Sequence, residues 1–390
     1  DAAGQPLSAE GFGAWQLSEK TLSTESLLGV LASISGVGEI VRNWAVASEV
    51  INQIFFLKIG SGTVELFRTE GAKQALKLSM TRHSASPVIP GSAISLALNT
   101  RLGVSIAQDI VLEVSANSGI DPIILVDQGG SAQQQYSSLS LNFREGVRAS
   151  LAVIESPAPF AVRRHSLVLE PDAKVSELWF HKGTGSASTT RGLLERVVSM
   201  GARSELRDVQ VLAPMGTCRV VSNLLVEGEG ARAFSGAAVV ASGNSRLDYE
   251  PRQEHRFARS RTDLRAKFLV ADTARAAFQG LVRVEKAAVQ TVALQENKNL
   301  LIGSRSRVDA LPRLEILPDE VMCKHGSATG EIDPKRLYYL TTRGFSEAEA
   351  RAMVVQGFVR DGLWALDLDS PLLALSDQLL SSILETIQVS

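Results

Sequence analysis

Two cysteines in 390 residues, Cys218 and Cys323, are too few to build a disulfide framework for a chain of this size. That scarcity favours a reducing compartment. Aromatic residues reach only 5%, and the abundance of Gly, Ala, Val, Ser and Leu favours thin, repetitive β structure over a thick aromatic core. Neither sign of charge dominates: 40 Lys and Arg face 42 Asp and Glu, a formal net charge of −2. The basic excess of a nucleic-acid binder is therefore missing, and no nucleic-acid partner is expected. The one basic run, RFARSRTDLR from Arg256 to Arg265, reads as a solvated or interface face. Long apolar runs are missing too. The most hydrophobic early stretch, INQIFFLKIG, is far too short to cross a bilayer, and nothing reads as a signal peptide. The expectation is a cytoplasmic chain with no membrane partner, or a stromal one if the source is eukaryotic.

Catalytic signatures are equally scarce. There is no G-x-x-x-x-G-K-S/T to cradle a nucleotide phosphate, and no G-x-G-x-x-G between a strand and a helix. No G-x-S-x-G marks a nucleophile elbow. The five histidines, His83, His165, His181, His255 and His325, are scattered, with no H-E-x-x-H and no paired-cysteine zinc spacing.

What is present is pattern. Residues 1–93 read as a mixed region: STESLLGVLASI as a capped helix, then QIFFLKI and GTVELFR as strands around Gly-Ser-Gly. Residues 94–330 read as strand after strand, with Gly, Pro, Asp, Ser and Asn turns and almost no helical periodicity. Similar openings recur at Val147, Ala173, Ala202, Ala231 and Ala274, with another strand about midway between the central ones. Strands repeating without helices predict a β-solenoid, with a sandwich or barrel as the alternative. Residues 331–390 read as helical. Asp333 and Pro334 start one helix and Gly344 stops it. Ser346 and Glu349 form a capping box for a second. Leu372, Leu375, Leu379, Ile383 and Ile387 make one face of a third.

Chemistry concentrates in one stretch, LEILPDEVMCKHGSATGEIDP from Leu314 to Pro334. On an extended segment Cys323 and His325 point the same way, so a sulfur and an imidazole nitrogen can meet one iron. Two ligands are half of a four-coordinate set, which leaves the rest to a second chain or a labile group. A turn that merely contains soft residues is the other reading. Lys324, a cation beside the thiol, would favour thiolate, but it should alternate to the opposite side of an extended chain and only tune it; Cys218 is expected to pack inward from a strand.

The stretch from Asn297 to Val359 resembles the C-terminal signature of the SufB/SufD family of iron–sulfur cluster assembly scaffolds, most closely its D-type branch. The match runs through Asn297 and Asn299, Val308-Asp309, Leu314-Glu315-Ile316, Val321, Cys323, His325-Gly326, Ile332-Asp333 and Tyr339 to Gly344. Lys324, Ser327-Ala328 and Ala310-Leu311-Pro312 depart from the usual pattern. The resemblance implies a right-handed parallel β-helix between a small N-terminal region and a C-terminal helical domain. It implies a non-catalytic scaffold with a SufB-like subunit beside the β-helix and a SufC-like ATPase on the C-terminal helices. An exposed flank of the β-helix could also pair with a second copy when the SufB-like subunit is missing, giving a homodimer. Cys323 and His325 become candidate ligands for iron or a transient cluster at the shared interface. The resemblance admits a reduced flavin in the complex, and no cofactor is expected tightly bound to the isolated chain. Two rival expectations stand beside it: a β-helix enzyme cleaving polysaccharide with grouped carboxylates, and an architectural subunit without metal ligands.

Overall fold

Six turns along the chain are made alike in the computed structural model, which describes residues 16–34, 37–59, 63–70, 76–83, 109–116, 122–128, 134–155, 160–183 and 191–387. Each has a residue with positive φ: Gly146, Asp172, Arg203, Gly230, Arg259 and Gln290. Directly after it comes a buried small or β-branched residue: Val147, Ala173, Ser204, Ala231, Ser260 and Thr291. The left-handed conformation costs a non-glycine residue about 1–2 kcal/mol. It is offset because each of these amides donates to a carbonyl in the next coil: Gly146 to Pro171 (3.0 Å), Asp172 to Ala202 (2.9 Å), Arg203 to Glu229 (2.9 Å), Gly230 to Ala258 (3.2 Å), Arg259 to Val289 (2.9 Å) and Gln290 to Glu320 (2.6 Å).

The sequence repeat therefore exists, with a corrected register. Ala202 precedes the left-handed Arg203, and Ser204 is the buried turn residue of that coil. Ala274 belongs to the equivalent turns on the other side, with Ser245 and Ser306, after Gly243, Asp272 and Gly303. The position selects for small size, which Ser and Thr meet as well as Ala.

The chain starts with β1 (Gln16–Leu22), α1 (Thr24–Ala32), α2 (Gly38–Ala47), β2 (Ile54–Ile59) and β3 (Thr63–Thr69). Ser23 caps α1 by accepting from the Ser26 amide, and β2 and β3 pair antiparallel as their hydrophobic runs suggest. Next come β4 (Leu76–His83), β5 (Asp109–Ala116), β6 (Ile123–Gln128), β7 (Gln134–Phe143), β8 (Arg148–Glu155), β9 (Phe160–Leu169), β10 (Lys174–Lys182) and β11 (Arg191–Met200). The body continues through β12 (Glu205–Ala213), β13 (Thr217–Val226), β14 (Arg232–Ala241), β15 (Arg246–His255) and β16 (Arg261–Ala271). It closes with β17 (Arg275–Phe278), β18 (Leu281–Val284), β19 (Thr291–Ile302), β20 (Arg307–Ala310), β21 (Arg313–Ile316) and β22 (Val321–Gly330).

Two sheets face each other. One runs β1-β3-β2-β6-β8-β10-β12-β14-β16-β19-β22, the other β4-β5-β7-β9-β11-β13-β15-β17-β20, with β18 and β21 extending it beside β15. From β6 and β7 onward every pairing is parallel. The result is a β-solenoid of about seven turns, mainly β, with a mixed N-terminal region and C-terminal helices. The expected boundary at residue 93 lies outside the described residues. β2 pairs with β6, so the N-terminal strands continue the solenoid's own sheet.

Alternate residues point inward. Most are apolar: Leu151, Val153, Val175, Leu194, Val198, Leu206, Leu212, Val220 and Phe268 belong to one continuous core. Charge is buried with them. Arg196 Nε donates to Glu177 Oε2 at 3.0 Å and Arg196 lies 3.5 Å from Asp208. Gln210 and Tyr249 extend that chain, with Tyr249 Oη donating to Gln210 Oε1 at 3.1 Å. Glu155 receives Trp179 Nε1 at 2.9 Å and meets His181 Nδ1 at 3.0 Å. Removing one partner of such a buried pair typically destabilises by about 3–5 kcal/mol.

One strand departs from this regularity. Pro251, in the middle of β15, has no N–H to give the ladder. The coils stacked above it break at the same level: Gln279-Gly280 separates β17 from β18, and Leu311-Pro312 separates β20 from β21.

The C-terminal helices are α3 (Pro334–Thr341), α4 (Glu347–Arg360) and α5 (Pro371–Leu384). Asp333 caps α3, and Ser346 with Glu349 forms the capping box of α4. Leu372, Leu375, Leu379 and Ile383 of α5 pack with Leu178, Phe180, Val209 and Val211 on the outer face of the first sheet. Lys267 Nζ, on the same face, lies 2.5 Å from Asp361 and 3.7 Å from Glu296. The helices thus cover the solenoid's flank and leave its end uncovered among the described residues.

The buried titratable groups set a direction for pH. Burial, with Arg196 nearby, pushes His165 down to about 3, and burial pushes His255 down to about 4. Burial alone would raise Glu155, but the His181 hydrogen bond, Arg163 and the Trp179 bond outweigh it and hold it below the usual range. Asp208, raised by burial, works the opposite way. Both histidines are depressed, so their contribution is complete above pH 6.5 and is lost as pH falls toward 4 and then 3. Each costs about 1.4 kcal/mol per pH unit over that window. The urea midpoint should fall steadily from pH 7 to pH 4.5; a flat or rising midpoint would contradict the buried neutral histidines.

Candidate functional site

Cys323 and His325 lie on β22, the last strand of the first sheet, so the stretch is a strand and not a turn. Its register with β19 sets Ala293 beside Cys323, Gln295 beside His325, Asn297 beside Ser327 and Asn299 beside Thr329. These residues continue the inward columns, because Leu264, Ala266 and Phe268 of β16 are the next members below Gln295, Asn297 and Asn299. Cys323 and His325 therefore share a face, as the alternation of an extended chain requires.

Their surroundings differ. Val321 and Cys323 pack against a small cluster of Val282, Val284, Ala288 and Ala293, with Leu314 alongside. His325 and the residues after it are exposed. Burial pushes the Cys323 thiol up, only partly offset by a backbone hydrogen bond at Ala293. Lys324 alternates to the opposite side of the strand, as expected of an extended chain, and is exposed. Cys218 is a buried inward residue of β13, and burial raises its thiol further.

Under the exposed rung lies a polar layer. Asn299 Nδ2 donates to Asn297 Oδ1 at 2.8 Å and to Thr329 Oγ1 at 3.0 Å, and Ser327 Oγ donates to Asn297 Oδ1 at 3.2 Å. Gln295, Asn297 and Asn299 are all buried. Sequence reasoning singled out the two asparagines without a role for them, and it missed Gln295. The available signal was three polar residues at alternate positions of a strand whose neighbours place Leu, Ala and Phe inward.

The described residues contain no group of three or more His, Cys, Asp and Glu able to hold a metal. A thiol and an imidazole are ligand types that suit iron, and neither polar atom of the buried Gln295 amide has a hydrogen-bond partner. The other candidates look structural. Glu155, Glu177 and Asp208, the buried carboxylates a polysaccharide-cleaving solenoid would need outside, face inward against Arg163, Arg196 and His181. The basic run is likewise paired, Arg256 with Glu254 and Glu227, and Arg265 with Asp263.

Two exposed surfaces flank this chemistry. The outer edge of β22 has no strand beside it among the described residues, and Leu311, Ile316, Leu317 and Met322 are exposed nearby. Farther on, α3 buries none of its residues. Tyr338, Tyr339, Phe345 and Met353 are exposed, around a shallow groove lined by Lys335, Arg336, Tyr339, Leu340 and Val354. No helix among the described residues is long and apolar enough to cross a membrane.

Fold and site together define a parallel β-solenoid that ends in an open rung carrying one thiol and one imidazole. Residues 131–358, more than half of the chain, match the family described as SUF system FeS cluster assembly, SufBD core domain. The chain belongs to that family, whose business is iron–sulfur cluster assembly. It is 39% identical over 95 residues to the iron–sulfur cluster assembly protein SufD of Escherichia coli (strain K12), covering 24% of this chain and 22% of the relative. It is 36% identical over 91 residues to SufD of Bacillus subtilis (strain 168), covering 23% and 21%. The chloroplastic protein ABCI7 of Arabidopsis thaliana is 37% identical over 93 residues, covering 24% and 20%. These matches span about a fifth of each relative's length.

Thiol reactivity separates the two cysteines. In the folded chain at pH 8, iodoacetamide should label Cys323 more slowly than free cysteine and leave Cys218 untouched until denaturant is added, read by mass spectrometry. Faster-than-free labelling of Cys323 would restore the thiolate expectation.

Proposed function

We propose that this chain is a non-enzymatic, D-type scaffold subunit of a SufBCD complex. The observation that carries the reading is the unpaired β22 edge bearing Cys323 and His325, half of a ligand set at the place where a second solenoid can add strands. A SufB-like subunit docks on that edge and supplies the remaining ligands, so that iron and a nascent cluster are cargo of the shared interface. When that subunit is missing, the same edge serves a second copy of this chain. The aromatic face of α3 and α4 receives a SufC-type ATPase.

Within this reading, Cys323 supplies a sulfur ligand once its proton is lost, and metal binding itself favours that loss. His325 supplies an imidazole nitrogen from the exposed end of the rung. The helices connect to the site through Lys267, which meets Asp361 at the end of α4 and Glu296 beside Gln295. Movement of the ATPase-bound helices thereby acts on the last full coil. A flavin, where the complex uses one, is assigned to no residue of this chain. A bacterial cytoplasm or an organelle stroma suits the role, and the chloroplastic relative supports the second as well.

The test is anaerobic co-purification with a SufB-type subunit and a SufC-type ATPase by size-exclusion chromatography. Tyr339→Glu is preferred to truncation, because removing α5 would uncover Phe180 and Val211. Wild type should form a three-component complex carrying iron, His325→Ala should form it with less iron, and Tyr339→Glu should lose the ATPase while keeping the SufB-type partner. A complex with equal iron in His325→Ala would reduce the chain to an architectural subunit, and no complex at all would contradict the scaffold role.

A further inference from the structure

The opening residues of the second sheet's strands form one column of like charge. Arg191 of β11 is the register partner of Thr217, Thr217 of Arg246, Arg246 of Arg275, and Arg275 of Arg307. Every member is exposed, as is Arg305 in the turn before β20. Rungs about 4.8 Å apart make this a basic seam about 19 Å long. Among the described residues, none of these arginines has a carboxylate within ion-pair distance. Like charges directly opposite one another on neighbouring strands destabilise a sheet, so the alignment works against the fold that carries it.

Elsewhere the solenoid avoids such alignment. At the left-handed turns of the opposite corner, arginine meets acid from coil to coil: Arg203 lies 2.6 Å from Asp172, and Arg259 pairs with Glu229. Arg144 sits between Glu113 and Glu170, 2.7 Å from each. The first-sheet strands also open on basic residues, Arg148, Lys174, Arg232 and Arg261, but Glu205 breaks their column. There the helical segment also brings Asp367 to within 3.1 Å of Arg207. The seam has no such compensation. The acids beside it are Asp248 and Asp309, one outward position along β15 and β20, and Asp272, whose Oδ2 accepts the Gly243 amide at 2.7 Å.

We propose that this seam is a docking track for an acidic helix of a partner protein, which lays one carboxylate per turn against Arg307, Arg275, Arg246 and Arg191. The match is one of period. A helical turn advances about 5.4 Å and a rung about 4.8 Å, a difference that flexible arginine stems absorb over three or four turns. An extended chain repeats on one side about every 6.8 Å and falls out of step within two rungs. Nucleic acid suits the seam less well. Asp248 and Asp309 in the next column repel a wide polyanion, and the exposed aromatic residues Phe257, Tyr338, Tyr339 and Phe345, on which bases would stack, all lie off the seam's strands. The inference stands apart from the proposed scaffold role, since it uses neither β22 nor the residues on it.

The test uses the full chain at low salt and a fluorescein-labelled, alanine-based helical peptide of about 18 residues, with glutamates at i, i+4, i+7 and i+11. A control peptide has the same composition with its glutamates spread around the helix, and binding is read by fluorescence anisotropy. The striped peptide should bind at least about tenfold more tightly than the control, because several exposed ion pairs add in register. The triple variant Arg246→Gln, Arg275→Gln and Arg307→Gln should lose that difference. A second triple variant, Arg148→Gln, Lys174→Gln and Arg232→Gln, removes as much charge from the first sheet and should keep it. The seam variant should melt no lower than wild type, since aligned repulsion is relieved. Equal binding of the two peptides, or equal loss in the two triple variants, would overturn the inference and reduce the seam to general positive charge. Tighter, seam-dependent binding of a single-stranded oligonucleotide would overturn it in favour of nucleic acid. Should the seam variant fail to fold, Arg275→Glu, a single exposed charge reversal, gives the same readout with the same outcomes.

Discussion

A parallel coil satisfies its backbone only through the coil below it and the coil above it, and the last coil of a solenoid has nothing above. The whole molecule follows from that constraint. In the body, each turn spends a left-handed residue and a small buried one to hand its amide to the next turn, from Gly146 to Gln290. Strand after strand then stacks in strict register, and the interior fills with aligned columns. At β22 the series stops with one edge unmatched among the described residues.

The contents of the columns change toward that end. Midway, the buried charges are closed on themselves, with Arg196 between Glu177 and Asp208. Around Tyr249, Phe268 and Phe278 the interior is an aromatic cluster, with ring centroids about 6 Å apart. Beyond it the amides of Gln295, Asn297 and Asn299 appear, and then the thiol and imidazole of the final rung. Dry core thus gives way to polar groups in the last full coil, next to the open edge of β22. The flank is handled separately. Close backbone approach at Gly236 and Gly362, where a Cβ on Gly236 would lie 2.1 Å from the Gly362 carbonyl oxygen, seats the helical segment, and Arg265 stacks 3.8 Å over Trp364. The C-terminal helices and the rung of Cys323 and His325 are therefore parts of one connected body.

Much of this was legible in the residues. Alternation and turn chemistry revealed most strands from β5 to β19, while capping residues located the first two C-terminal helices and an apolar face the third. β15 escaped notice because RLDYEPRQEH carries charges outward and a proline at its centre, which ordinarily argues against a central strand. The repeat was misaligned at Ala202 and Ala274 because the turn selects size, not residue type. In α4 the buried face is Ala350, Val355 and Val359, a set that the capping box alone did not specify. At the site, position in the chain and alternation were enough to pair Cys323 with His325. The thiol's raised pKa was not, since it depends on burial against Val282, Val284 and Ala293, residues that only the coiling brings near. Gln295 was invisible for the same reason: its isolation depends on Gly280, fifteen positions earlier and across the interior.

We propose that β22, whose outer edge has no strand beside it among the described residues, is completed by a partner solenoid. Hydrogen exchange at the amides of Val321 to Gly330, with and without a SufB-type subunit, tests it most directly. Alternate amides face β19 and are already bonded, while those between them face outward. The account predicts that the outward set slows by an order of magnitude or more in the complex while the β19-facing set changes little. A stable complex in which both sets exchange as they do in the free chain would contradict it.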